Sequence, residues 1–212
     1  MNRRELIKIS LILPFVAGFS FGREKSNRFI DPKTVNPRLN VAYATSKLLS
    51  RNGFDRVGVV FMENSQLCAV FAGALVTGLR MLGKKAWYIE GGTELIPSLE
   101  KYKPSVLYMA YFGELPDEVV QEALNEDLKR LSQYGKKFKI IYHVSTLQRG
   151  YVANAILEED IYNYLKGIKE QYAMKVIEGY VHLSKLTEIS EFGISFRKSV
   201  DKIKLIRSEE VR

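Results

Sequence analysis

Few side chains in this 212-residue sequence can do covalent or metal chemistry. Cys68 is the only cysteine, and His143 and His182 are the only histidines. A lone cysteine excludes an intramolecular disulfide and any cysteine-built zinc or iron–sulfur motif. The two histidines stand too far apart in sequence to make a local metal pair. Cys68 falls in the first turn of an expected helix, where a thiolate is stabilised. Its neighbours Leu67, Ala69 and Val70 instead favour a buried, inert thiol. His143 falls inside the alternating run of an expected strand, either as a satisfied sheet histidine or in a functional role. Neither G-x-G-x-x-G nor a P-loop nor a G-x-S-x-G elbow occurs. No Ser-His-Asp set can be assigned, so no cofactor, no metal and no catalytic set is expected.

Non-covalent binding is better provided for. Four short segments collect hydrogen-bonding groups: Glu63-Asn64-Ser65-Gln66, Glu90-Gly91-Gly92-Thr93, Phe112-Gly113-Glu114, and Ser145-Thr146-Leu147-Gln148-Arg149-Gly150, the last preceded by His143. The first is the strongest candidate for a small ligand, because backbone N–H groups at a helix start favour an anion or a carboxylate. Asn64 and Ser65 serve equally as ordinary helix caps. Gly91-Gly92 is too short to cradle a phosphate by itself. Arg149, beside Gly150, is either an anion-binding group or a solvated loop arginine.

The elements between these segments say where they must lie. Residues 38–52 suggest a helix ended by Gly53, and residues 23–37, with Pro32 and Pro37, a polar linker. Arg56–Met62, Lys85–Ile89, Ser105–Tyr111 and Phe138–Val144 are continuous apolar runs of strand length, as expected of strands covered on both faces. Helices are expected over 66–82, from Gly91 to Lys103, from Pro116 to Gly135 and over 151–171. Lys175–Leu183 reads as a fifth strand, and Ser184 to about Arg207 as a last helix with Leu186, Ile189, Phe192, Phe196, Val200 and Ile203 on one stripe, blemished by Gly193. Alternating strands and helices give right-handed β-α-β units. The expected fold is a three-layer, doubly wound α/β domain over 38–212, with a mostly parallel sheet of about five strands and helices on both faces. Ligands in such sheets bind beyond the carboxyl ends of the strands, and all four polar segments fall on that edge. Helix 66–82 is apolar nearly all round, so it must be covered twice, by the sheet and by either helix 38–52 or a partner subunit.

The first residues read differently. Met1-Asn2-Arg3-Arg4-Glu5-Leu6-Ile7-Lys8 resembles a twin-arginine (Tat) export signal: a polar residue, two arginines, any residue, two apolar residues and a lysine. The apolar stretch Ile9–Phe21 is shorter than the roughly 20 residues a membrane span needs, as in a signal h-region. Ser20-Phe21-Gly22 offers small residues for a cut before Arg23, and an uncut leader would leave an N-terminal anchor. The resemblance implies folded cargo in the periplasm, with the leader as its only tie to the membrane. The leader carries +2 of the formal charge of +8, leaving a mildly basic remainder. Its lysines are scattered rather than in blocks, which favours a solvated, thermophile-like surface over nucleic-acid binding.

Residues 52–142 also resemble one lobe of a type-1 periplasmic solute-binding protein. The carrying features are Gly53-Phe54-Asp55-Arg56-Val57-Gly58-Val59-Val60, the polar Asn64-Ser65, Met81-Leu82-Gly83, and Lys103-Pro104-Ser105-Val106-Leu107. That family binds its ligand between two lobes, and this chain has room for one. The resemblance therefore implies a small polar or anionic solute, with the second wall supplied by a homodimer or a co-exported partner. The size and layout are also similar to a DsrE-like sulfur-handling domain, which would imply chemistry at Cys68 or His143. The two expectations are an exported ligand- or partner-binding protein and, as the alternative, a small exported enzyme or sulfur carrier.

Overall fold

The computed structural model describes residues 32–190 and 193–205. The expected leader and its cleavage point lie outside the described residues, as do the last seven positions.

Helix α1 (Pro32–Arg51) begins six residues earlier than expected, reaching back through the end of the expected linker and carrying Pro37 within it. Proline at its first position suits the first turn, where an N–H would have no partner within the helix. From Arg38 onward the chain forms one compact unit. Strand β1 (Arg56–Phe61) is followed by α2 (Gln66–Met81), β2 (Lys85–Glu90), a short 3₁₀ turn (Gly92–Glu94) and α3 (Leu95–Tyr102). Then come β3 (Val106–Ala110), α4 (Asp117–Tyr134) and β4 (Lys139–Tyr142). The loop expected after β4 carries the short helix α5 (Val144–Gln148), and the expected single helix over 151–171 is instead α6 (Tyr151–Ala155) and α7 (Glu159–Lys166), the last ended by Gly167.

Among the described residues, seven strands form one sheet in the order β2-β1-β3-β4-β5-β6-β7. The first five are parallel, so the α/β class with a mostly parallel sheet holds. The strand count does not. The expected fifth strand and last helix are three strands, β5 (Gln171–Ile177), β6 (Tyr180–Ser190) and β7 (Gly193–Lys204), paired antiparallel. The reason lies at Glu178-Gly179, whose φ values of 51° and 77° are both left-handed. Two such residues make the tight turn whose twist matches a β-hairpin.

Register assigns the faces. Gly58 aligns with Trp87 and Leu107, whereas Val59 aligns with Tyr88 and Tyr108. Trp87 stacks on Tyr102 of α3, and Tyr108 stacks on Phe71 of α2. The helices α3 and α2 therefore cover opposite faces, as a doubly wound sheet requires.

The second cover of α2 comes from α1. A Cβ added at Gly78 would stand 2.6 Å from Ser46 Oγ and 2.9 Å from Ser46 Cβ, so the two helices touch where Gly78 has no side chain. Ala42, Leu48 and Leu49 of α1 and Phe71, Leu75 and Leu79 of α2 are fully buried in this layer. Gly73, in the same helix, is different: a Cβ there would meet nothing within 4 Å. Thus Gly78→Val is expected to destabilise the chain by about 1–3 kcal/mol through overpacking. Gly73→Ala is expected to stabilise it by about 0.5–1 kcal/mol through helix propensity. Chemical denaturation of the two variants against the parent checks both signs.

Candidate functional site

The chain reverses direction across the sheet at β1, which has β2 on one side and β3 on the other. Crevices at such switch points are where open α/β sheets bind ligands. Two loops flank this one. The loop after β1 runs through Glu63 and Asn64, which are exposed, to Ser65, which is buried. Asn64 takes a left-handed φ of 62°, and Ser65 rather than Asn64 caps α2, its Oγ accepting from Cys68 N at 3.3 Å. The loop after β3 passes Phe112 and Gly113 to Glu114. A Cβ on Gly113 would lie 2.6 Å from Ser65 Oγ, and its φ is +133°, so glycine is required there.

Glu114 crosses the crevice and places its carboxylate on the first turn of α2. Gln66 N donates to Oε1 at 2.8 Å, Leu67 N to Oε2 at 3.4 Å, and Ser65 Oγ to Oε2 at 3.2 Å. Unpaired N–H groups and the positive end of a 16-residue helix both favour an anion here. The seat expected to bind a carboxylate holds one belonging to the chain itself.

Beside it, Cys68 is 0% exposed and donates its Sγ to Phe112 O. Burial pushes its thiol up to about 11, against the hydrogen bond from Ser65, and the nearby Glu114 charge pushes the same way. At neutral pH it is a protonated, inert thiol.

His143 lies just past β4 rather than within the strand. It caps α5, its Nδ1 accepting from Ser145 N at 3.1 Å. Its ring stacks on Phe112 at 4.1 Å and meets Phe71 edge-on at 4.7 Å. Burial, helped by the positive charge of Arg38, drives its pKa down to about 3. The imidazole is therefore neutral across the physiological range. Thr146, also buried, donates to Tyr111 O at 2.9 Å and so ties α5 to the end of β3. Under this cluster the hydroxyls of Tyr108 and Thr45 are fully buried without partners at hydrogen-bond geometry. They stand close enough for Thr45 to temper the rise that burial imposes on the Tyr108 hydroxyl.

The remaining candidates divide between two places. Glu90, Gly91, Gly92 and Thr93 gather at the end of β2, with the Glu63 carboxylate lying against Gly92. Glu90 titrates above its ordinary range, through partial burial and then the charges of Glu63 and Glu94. Arg149 is not at the crevice. It pairs with Asp117 at the start of α4 and lies 3.3 Å from Tyr151 Oη. The Asp117 pKa is lowered by its hydrogen bonds from Tyr151 and Arg149.

One buried charge escaped the sequence reading. Asp127 of α4 accepts from Tyr111 Oη, from Gly92 N at 2.9 Å and from Arg130 at 3.1 Å. Gly91 packs against it so closely that a Cβ would come within 2.2 Å of Oδ2. Burial raises the Asp127 pKa while those three donors oppose the rise. The signal was available: Asp127 sits on the same stripe as Val120, Leu124, Leu128 and Leu131, all buried. Among the described residues, no group of three or more His, Cys, Asp and Glu side chains could hold a metal ion. No described helix is long and apolar enough to cross a membrane.

Comparison with known proteins places the chain in a family. Residues 34–207 match a family model described as "Uncharacterized protein". The chain is 75% identical over 211 residues to an "Uncharacterized protein" of Aquifex aeolicus (strain VF5), covering 100% of this chain and 99% of that one. The chain belongs to this family. Among solved structures it is similar to a protein of Rhodospirillum rubrum described as a branched-chain amino acid ABC transporter, with 15% identity and a TM-score of 0.45. That match covers 64% of this chain and 36% of the other. It is also similar to a solute binding protein of an ABC transporter from Rhodopseudomonas palustris BisB5, in complex with 3,4-dihydroxy benzoic acid. Here identity is 9%, the TM-score 0.43, and coverage 80% of this chain and 66% of the other.

The buried histidine makes a pH prediction. Its folded pKa, about 3, lies below the ordinary 6.5, so the folded state binds that proton less readily than the unfolded chain. Stability is then fully present above the unfolded pKa and is lost as pH falls through the folded one. Between neutral pH and pH 5 the loss attributable to His143 is expected to be about 2 kcal/mol. Denaturation at both pH values should show it, and His143→Phe should flatten the difference.

Proposed function

We propose that this chain is an exported α/β binding protein that holds a small polar or anionic solute at the switch-point edge and has no catalytic set of its own. The observation that carries the reading is the Glu114 carboxylate on Ser65 and the N–H groups of Gln66 and Leu67. A seat already shaped for a carboxylate accepts the carboxylate of a ligand once the exposed Glu114 swings out, and Glu63, Asn64 and Thr93 stand exposed around it. In this reading Gln66 and Ser65 hold the anion, and Glu114 keeps the seat closed when no ligand is present. Gly91, Gly92, Glu90, His143, Ser145 and Thr146 support the walls, and Arg149 belongs to a separate ion pair. The twin-arginine pattern at Arg3-Arg4 supports export, as expected of a protein that folds before crossing the membrane.

The sulfur-carrier and acid–base alternative is disfavoured by the state of its two groups. The Cys68 thiol is held protonated and the His143 imidazole neutral, both by burial. A protonated thiol is a poor nucleophile, and an imidazole with a pKa of about 3 is too weak a base for proton transfer near neutral pH.

The test is native mass spectrometry of the protein drawn from the extracytoplasmic fraction of its own cells. A bound small molecule carrying an anionic group is expected, at higher occupancy in Glu114→Ala. A bare chain in both forms contradicts the ligand, and recovery from the cytoplasm alone contradicts export.

A further inference from the structure

The described sheet ends in β7 on one side and β2 on the other. β7 pairs irregularly with β6, through several register shifts, and such bulges keep an edge from joining another chain. β2 has no such defence: its register with β1 runs unbroken from Lys85 to Glu90, and it contains no proline. Lys85 N and Gly91 N turn inward, donating to Asp55 O and Phe61 O. Alternate residues of a strand face opposite neighbours, so the N–H and C=O groups of Ala86, Tyr88 and Glu90 turn outward along the edge.

Arg80 and Glu90, both exposed at this edge, enter no ion pair among the described residues. Arg80 instead donates Nε to Ala86 O at 2.9 Å. Ala86 and Glu90 are four residues apart, about 13 Å along a strand, so Arg80, held at Ala86, stands away from its own Glu90. An antiparallel pairing of β2 with β2 of a second copy, centred on Tyr88, sets Ala86 of each copy opposite Glu90 of the other. We propose that two copies of this chain join in this way, edge to edge through β2, about a two-fold axis at Tyr88. Such an axis keeps each face of the sheet on its own side, so Arg80 of one copy and Glu90 of the other share the α2 face. Glu90 N then donates to Ala86 O of the other copy, and Arg80 moves from that carbonyl to the Glu90 carboxylate, twice over by symmetry. Tyr88, 44% exposed, meets its counterpart across the axis.

The helix above the edge fits the same arrangement. α2 lies over β1 and β2. With strands about 4.8 Å apart, the α2 helices of two joined copies stand about 10 Å apart, a helix-packing distance. Gly73 and Thr77 lie two turns and one turn before Arg80 on the side of α2 that faces the edge, and neither is buried. Their side chains are small enough for a second helix to approach, and a Cβ at Gly73 would meet nothing within 4 Å. The inference does not rest on the solute reading, and its test reads association rather than ligand.

Sedimentation equilibrium of the full chain over a range of concentrations is expected to show a monomer–dimer equilibrium. Arg80→Glu and Glu90→Arg each set like charges opposite one another and should each weaken the dimer by at least about tenfold. Combined in one chain they restore opposite charges, and the dimer should return. Gly73→Gln, whose side chain has open space in the single chain, should fold and also weaken the dimer. Thermal denaturation confirms that each variant is folded. A monomer at every concentration overturns the proposal. So does a dimer indifferent to the single substitutions, as association through the leader or another face would be, or a combined variant no tighter than either charge substitution alone.

Discussion

Helix α2 is buried on two sides, leaving only a narrow strip through Gly73 and Thr77 toward solvent, and this double burial is the constraint on which the rest of the structure depends. The sheet takes one side through Phe71 against Tyr108, and α1 takes the other at Ser46 and Gly78. Covering the helix in this way fixes its axis, and so fixes where its first turn points. That turn opens at the crevice between β1 and β3, with its N–H groups directed at the β3–α4 loop. Gly113 allows that loop to pass close to Ser65, and Glu114 follows onto the helix end. The carboxylate seat is thus a consequence of core packing: the dipole and the unpaired donors are there because an apolar helix had to be buried at that angle.

The same burial decides what chemistry the crevice supports. Cys68 and His143 are the side chains most capable of reaction, and both sit inside the aromatic layer with Phe71 and Phe112. Desolvation penalises a thiolate and an imidazolium alike, so the two groups end in their neutral forms. Each has a structural occupation instead, Cys68 as a donor to Phe112 O and His143 as a cap on α5. Asp127 is the buried group that keeps three donors, and it joins the β2 edge, the end of β3 and α4 into one frame around the crevice. What stays polar and accessible at this edge is suited to holding a ligand by hydrogen bonds.

The parallel half of the fold was legible because strands covered on both faces leave continuous apolar runs, such as Val57–Met62 and Val106–Tyr111. The antiparallel third was not. Leu186, Ile189, Phe196, Val200 and Ile203 fall close to a helical stripe, and that period outweighed the β-branched residues Thr187, Ile189, Ile194, Val200 and Ile203. The left-handed pair Glu178-Gly179 and the glycine at position 193 were the contrary signals. At the site, the loop residues were legible from topology alone, since any parallel sheet gathers them at one edge. The pairing of Glu114 with the start of α2 was not, because it joins residues 47 and 48 positions apart across a crevice. The pairing of Arg149 with Asp117 was illegible for the same reason, since the two are distant in sequence.

The central claim is that the first turn of α2 is a carboxylate seat which Glu114 occupies in the absence of ligand. The most direct measurement is a crystal structure of Glu114→Ala grown in acetate. The account predicts an acetate whose oxygens accept from Gln66 N, Leu67 N and Ser65 Oγ, with the crevice otherwise unchanged. A seat holding water alone, or closed by movement of the β1 and β3 loops onto each other, would contradict it.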